Sequence, residues 1–348
     1  MPVWGAQHRG SNSMALRRQA LCDELGSLGE YLFPMFVCVS ANPAVDKRLR
    51  LTRLVPGAVN RATEVKAAPG GKATHVAMVL RTLGADPDWI GFTGGASGQE
   101  LLDGLSALGI RARPIRTEHP TRVNLEIIDE AACVTEILEP GVAPSQSEIA
   151  SFQDACEEQF KRGESQAIVI ASGSLPPGMP RDFYAALIHH AHAHGCKFFL
   201  DTSGEALRSS FEACPDFVKP NREEAEWITG RKITDLASAR EAISHFFAAG
   251  ARSVAISLGK GGLVWCPGKG RKVYFASAAV VQARSTVGCG DAVVAAFASA
   301  AGAGLTAEET VRLAAACGAA NCLADSPGAA QAEDIGRLRK ELLVERLS

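Results

Sequence analysis

Chemistry is most legible where small residues give way to an acid at the start of a helical run. The stretch Arg284-Ser285-Thr286-Val287-Gly288-Cys289-Gly290-Asp291 leads straight into Ala292-Val293-Val294-Ala295-Ala296-Phe297. The first amides of a helix have no upstream carbonyl to donate to, and they lie at the positive end of the helix dipole. Glycines just before them let an anion approach closely, so Gly288, Cys289 and Gly290 form a candidate cradle for the end of a polyphosphate. A carboxylate beside a phosphate repels it. Asp291 makes sense there as the group that takes a proton from an attacking hydroxyl. Taken alone, the same Asp could simply cap its helix.

Further polar or Gly-rich patches fall where predicted strands end. They are Asn42/Asp46, Gly94-Gly95, Ser172–Gly178, Asp201–Gly204, Lys219–Glu224 and Ser257–Gly262. Ligands of open α/β sheets bind at the carboxyl ends of strands, and with Gly288–Asp291 seven patches share that placement. Two common nucleotide motifs are absent. Gly71-Lys72 is followed by Ala73, not Ser or Thr, and lacks the upstream Gly of a P-loop; no strand leads into G-x-G-x-x-G.

The elements that must position these patches follow from periodicity. Met35–Ser40 is an apolar run of buried-strand type. Lys47–Ala68 alternates around a Pro56-Gly57 turn and reads as a half-exposed hairpin. Gly70-Gly71-Lys72 opens a helix over Ala73–Leu83, followed by a strand at Trp89–Thr93 and a helix at Gly98–Leu108. Arg111–Leu138 then alternates as three strands, which with the early hairpin predict a small second sheet. This sheet reads as a lid made from about residues 47–68 and 111–138. From Ser145 onward strands and helices alternate again. An antiparallel edge is expected at Leu263–Trp265 and Lys272–Ala276, and helices at Asp291–Ala301, Ala307–Leu323 and after Ala330. This order predicts an α/β fold with a mostly parallel sheet covered on both faces.

Composition narrows the rest. Of 348 residues, 47% are hydrophobic and 21% charged, with a formal net charge of −2, which suits a protein with an ample core. No basic block points to nucleic acid or a membrane surface, and no apolar run approaches the roughly 18 residues of a span. The ten cysteines include no C-x-x-C pair, so they read as buried thiols in a reducing cytoplasm. Residues 1–34 lack a signal-peptide h-region and read as a poorly ordered extension ahead of a 35–348 domain. His190 and His194 have metal-pair spacing, but they end a helix, where cations suit the dipole.

Four segments taken together resemble the PfkB-type carbohydrate kinases of the ribokinase-like fold, over roughly residues 35–330. Gly288-Cys289-Gly290-Asp291 is similar to that family's anion hole and catalytic base. Asn221-x-x-Glu224 is similar to its magnesium motif, and Asn42-Pro-Ala-Val-Asp46 and Pro69-Gly70-Gly71-Lys72 to its sugar-binding motifs. Val59-Asn60-Arg61, Thr121-Arg122-Val123-Asn124 and Ser172–Gly178 resemble the phosphohexose branch, which includes 1-phosphofructokinase and tagatose-6-phosphate kinase.

The resemblance implies a three-layer α/β/α sandwich with a small β-sheet lid, ATP and Mg²⁺ as cofactors, and a homodimer formed through the lid. It implies that Asp291 deprotonates a hydroxyl of fructose 1-phosphate, fructose 6-phosphate or tagatose 6-phosphate. Ser257, Gly259, Gly262 and Lys219 would line the nucleotide site, and Glu224 with Asn221 would act on Mg²⁺ through water. Asn42, Asp46, Gly70, Gly71 and Asn124 would meet the sugar, and Arg61, Lys72 and Arg122 its phosphate, which guanidinium groups bind bidentately. The chain departs from the family's G-G-K-G-x-N at Ala73 and at His75, which stands where the family's Asn contacts sugar hydroxyls. The alternatives are a kinase of an unphosphorylated sugar or nucleoside, and a non-catalytic sugar or nucleotide sensor on the same fold.

Overall fold

Unbroken apolar runs form strands covered on both faces. β1 (Phe36–Ser40) is buried throughout, and its residues alternate between two apolar layers. The computed structural model describes residues 34–163 and 166–347. Apart from Pro34, the expected 1–34 extension lies outside them.

After β1 the chain forms β2 (Ala44–Leu51), β3 (Glu64–Gly70) and helix α1 (Lys72–Thr82), then β4 (Asp88–Thr93), α2 (Gly95–Ala107) and β5 (Arg111–Arg116). Next come β6 (Arg122–Asp129), β7 (Val134–Leu138), α3 (Gln146–Arg162), β8 (Ile168–Ser172), α4 (Phe183–Ala193), β9 (Lys197–Asp201) and α5 (Gly204–Ser210). The order continues with β10 (Phe217–Val218), α6 (Arg222–Thr229), α7 (Leu236–Ala249), β11 (Val254–Ser257), β12 (Leu263–Cys266) and β13 (Val273–Ala276). It closes with α8 (Cys289–Ala303), α9 (Ala307–Leu323), α10 (Ala332–Glu341) and β14 (Val344–Leu347). Several helix starts are written in the sequence as reciprocal caps, among them Ser145 with Glu148, Asn221 with Glu224 and Thr306 with Glu309.

The large sheet has the order β14-β13-β12-β11-β10-β9-β8-β1-β4-β5. It is parallel from β5 to β11 and antiparallel beyond. Helices α1, α2, α8, α9 and α10 pack on one face and α3 to α7 on the other, which gives the expected three layers. The chain leaves β1 for β4 on one side and returns to β8 on the other. The strand order therefore reverses at β1, and a crevice opens at its carboxyl end.

The small sheet has the order β3-β2-β6-β7, two antiparallel hairpins joined through a parallel β2–β6 pair. One face carries Asp46, Arg48, Lys66, Asn124, Glu126 and Glu136 toward the crevice. The other carries Leu49, Val65, Leu125 and Ile137, with Val65 60% and Ile137 52% exposed.

Two expectations are corrected. Arg111–Arg116 does not belong to the lid; it pairs in parallel with β4 along its whole length as the edge of the large sheet. Arg111, Arg113 and Arg116 give it the mixed polarity of a lid strand, although Ala112 packs into one helix layer and Ile115 into the other. The large sheet also gains β14 at its other edge, paired to β13, which the sequence reading did not anticipate.

Candidate active site

The crevice is a cleft of about 1200 Å³ between the carboxyl edge of the large sheet and the polar face of the small one. Helix α8 points its N-terminus into it. Gly288 is the N-cap with φ +79°, and a Cβ there would lie 2.9 Å from Pro327, so both conformation and space select glycine. The Val287 amide donates to Ser285 Oγ and that of Cys289 to Thr286 O, whereas those of Gly290 and Asp291 head the helix, where no upstream turn supplies a carbonyl. Lys219, from the end of β10, is 4% exposed and reaches this point: a Cβ on Gly290 would lie 3.2 Å from Nζ. A buried ammonium beside free helix amides is a built anion site.

Asp291 itself is 4% exposed. Its Oδ2 lies 2.8 Å from Nδ1 of His75, which comes from the first turn of α1. The other ring nitrogen, Nε2, lies 2.8 Å from Asp46 Oδ2 on β2. Asn124 Nδ2 donates to Asp46 Oδ1 at 2.9 Å, so both oxygens of Asp46 are held. Burial alone lowers the proton affinity of the ring, but hydrogen bonds and charge from Asp291 and Asp46 outweigh it and push His75 up to about 10. Burial works against ionisation of Asp46 too, yet His75, Asn124 and Arg122 hold its carboxyl below the usual range. Asp291 Oδ1 takes no hydrogen bond among the described residues. Asn124 Oδ1 is a buried acceptor without a partner there, which a ligand hydroxyl would satisfy.

Asp201, at the end of β9, is 2% exposed between two lysines, 3.4 Å from Lys219 Nζ and 3.8 Å from Lys72 Nζ. Burial opposes its charge, but Lys219 and Lys72 outweigh that and keep it below the usual carboxylate range, while Asp201 in turn raises Lys72. The sequence placed Asp201 in a patch without a role. Its role appears only once strands 197–201 and 217–218 and helix 72–82 converge.

Asn221 and Glu224 face the same cleft as the capping box of α6: Asn221 Oδ1 accepts from the Glu224 amide, and Glu224 Oε2 from the Asn221 amide, both at 2.8 Å. Burial, then the charge of Asp201, raises the Glu224 carboxyl. Its Oε1 has no hydrogen bond among the described residues. A hard cation that keeps most of its waters and needs one or two carboxylates fits this donor set. No cluster of three or more His, Cys, Asp or Glu among the described residues would enclose a metal. Ser257, Gly259 and Gly262 line the far end of the cleft with Ala279, Val281 and Ala319, small enough to admit a flat ring.

The remaining expected sugar and phosphate residues divide. Gly71 caps α1 and, with Lys72 and Arg122, lines the cleft. Gly70 is pressed against Asp46, leaving no room for a Cβ. Arg122 donates to the carbonyls of Asn42 and Glu139, which still leaves N–H groups of its fork unused, and burial lowers its pKa.

Three expectations are corrected. Arg61 lies exposed on the β2–β3 connection, outside the cleft lining, because Asn60 uses its amide to close the turn on Val55 and Ala58. The Asn42 amide ties Pro140 and Ser174 together rather than lining the cleft. His75 enters the site, but both ring nitrogens face carboxylates, so neither is free for a sugar hydroxyl.

The sequence did not single out Arg48, Glu126 and Ser285. Arg48 and Glu126 form a buried pair at 2.6 Å on the inner face of the lid. Glu126 accepts from Ser285, which precedes the α8 amides, and Arg48 donates to the carbonyl of Asp325. Outside the cleft, His190 and His194 flank Glu157 of α3, and His192 pairs with Asp216. No helix among the described residues is long and apolar enough to cross a membrane.

Known proteins resemble the chain in sequence and in fold. The chain is 35% identical over 277 residues to a 1-phosphofructokinase of Rhodobacter capsulatus, covering 79% of this chain and 86% of that one. It is 30% identical over 272 residues to a D-tagatose-1-phosphate kinase of Klebsiella oxytoca, covering 76% and 85%. The crystal structure of phosphofructokinase-2 from Escherichia coli with substrates and products superposes with a TM-score of 0.81 at 28% identity, over 88% of this chain and 99% of that one. With residues 39–334 matched by the pfkB family of carbohydrate kinases, the chain belongs to that family.

Proposed function

We propose that the protein transfers the γ-phosphoryl group of ATP to a hydroxyl of a ketohexose already phosphorylated at carbon 1, fructose 1-phosphate first. The observation that carries this reading is one juxtaposition. A buried carboxylate with a free oxygen, Asp291 Oδ1, heads the same helix turn whose amides and neighbouring Lys219 make an anion site. Phosphoryl transfer asks for positioning and charge neutralisation more than covalent help. Asp291 orients the acceptor hydroxyl and takes its proton. The amides of Gly290 and Asp291, with Lys219, stabilise charge on the transferring group. Lys72 and Arg122 face the cleft as cations for the substrate's own phosphate, and Asn124 Oδ1 accepts from a sugar hydroxyl. Mg²⁺, held through water by Glu224, would neutralise the polyphosphate. The preference for a 1-phosphate rests on the names of relatives 30–35% identical.

The test is coupled ADP release over fructose 1-phosphate, tagatose 1-phosphate, fructose 6-phosphate, tagatose 6-phosphate, fructose and ribose. Turnover concentrated on the 1-phosphates supports the reading. Preference for fructose or ribose, or binding without ADP release, overturns it. The exposed Val65 and Ile137 on the outer lid face further support a homodimer through the lid. Val65→Lys with Ile137→Lys should yield monomers by sedimentation.

A further inference from the structure

The structure gives the His75 ring a task that a carboxamide cannot perform. We propose that His75 is a positioning residue: a doubly protonated imidazole that ties the base Asp291 on α8 to Asp46 on the lid, coupling lid geometry to the orientation of the base. This rests on the functional reading above.

Three observations support it. The ring is buried, with a carboxylate oxygen 2.8 Å from each nitrogen. Imidazolium offers N–H donors on opposite edges of one rigid ring. An Asn or Gln carries both donors on one nitrogen and would turn its own oxygen toward the second carboxylate. The backbone that carries the ring is also closely packed, because a Cβ on Gly328 would lie 2.9 Å from the His75 Cα. The charged groups acting on it are Asp291 from α8 and Asp46 from β2. Beyond them, Arg122 from β6 acts on Asp46, and Lys72, three residues earlier on α1, acts on Asp291. β1 and the body of α8 approach α1 with apolar residues.

With Oδ2 tied to the ring, Asp291 can present only Oδ1 to the acceptor. With Asp46 tied to the same ring and to Asn124, the lid strand cannot move without pulling on the base. A neutral ring would keep one link and set its lone pair against the other carboxylate.

Two measurements test this. In protein labelled with [¹⁵N]histidine, one ring should show both nitrogens protonated at pH 8, a signal absent in His75→Asn; in Asp46→Asn the same ring should titrate at lower pH. In steady-state kinetics His75→Asn should lose about 10- to 100-fold in kcat, the scale of a misplaced base, while the KM for ATP stays within about twofold. A ring of neutral tautomer at pH 7.5 overturns the proposal, as does wild-type kcat in a folded His75→Asn. The NMR readout needs no acceptor, so a wrong substrate class fails the ADP assay without mimicking a failed bridge.

Discussion

Gly70→Ala is a change of one methyl group that should act on the chemistry through Asp46. Gly70 ends β3 opposite Ala44, with a backbone conformation open to alanine. The added Cβ would sit 2.7 Å from Asp46 Oδ2 and closer still to Cγ and Oδ1, against about 3.4 Å for ordinary contact. The carboxyl must therefore withdraw by roughly 1 Å. It cannot do so freely, because His75 holds Oδ2 and Asn124 holds Oδ1. Hydrogen bonds to charged groups contribute about 1.5–3 kcal/mol each, so the substitution weakens one or both. A displacement of about 1 Å at a positioning group costs on the order of 10²-fold, or about 2.7 kcal/mol of transition-state stabilisation. Coupled ADP release with fructose 1-phosphate should show kcat/KM down by about that factor. The KM for ATP should hardly change, since the α8 amides and Ser257–Gly262 are untouched. A folded Gly70→Ala protein within threefold of wild type would refute the reasoning that Asp46 is held where the reaction needs it.

Asp291→Asn keeps size and an acceptor for His75, so the fold should stand while kcat falls by about 10² or more, as measured by single turnover. Arg48→Met alone should destabilise by about 3–5 kcal/mol in urea unfolding, because it leaves Glu126 buried and unpaired; Arg48→Met with Glu126→Leu should recover most of that loss. Because the folded state raises the His75 pKa from its ordinary 6.5 to about 10, its stabilisation is full below about pH 6.5 and is lost as pH rises through 10. The gap in Tm between wild type and His75→Asn should accordingly be wide at pH 6 and shrink toward pH 10 in a buffer series.

Periodicity carried most of the architecture, because buried parallel strands such as Phe36–Ser40 and Ile168–Ser172 are unbroken apolar runs up to a terminal Ser and covered helices are not. It failed at the sheet edges. Arg111–Arg116 carries three Arg among its six residues and so reads like a lid strand, and Val344–Leu347 is too short and charged to stand out. Within the site, a helix N-terminus behind glycines was legible as such. Asn221 and Glu224 were legible as a pair, but their spacing equally encodes a capping box, and the structure contains that box. The His75 bridge was not legible. Its partners lie 29 residues away on one side and 216 on the other, and only the tertiary fold decides that both are carboxylates on one ring.

The parallel β2–β6 pair has a consequence for how the chain is made. Its partners are 78 residues apart, with β3, α1, β4, α2 and β5 between them. The first hairpin therefore emerges from the ribosome long before the second, and a two-stranded hairpin is marginal by itself. Until β6 arrives, β2 presents an open row of amides and carbonyls, the kind of edge that recruits another strand. The lid should be the last part of the molecule to set, and chains arrested before residue 122 should be markedly more prone to aggregate than chains arrested after residue 138.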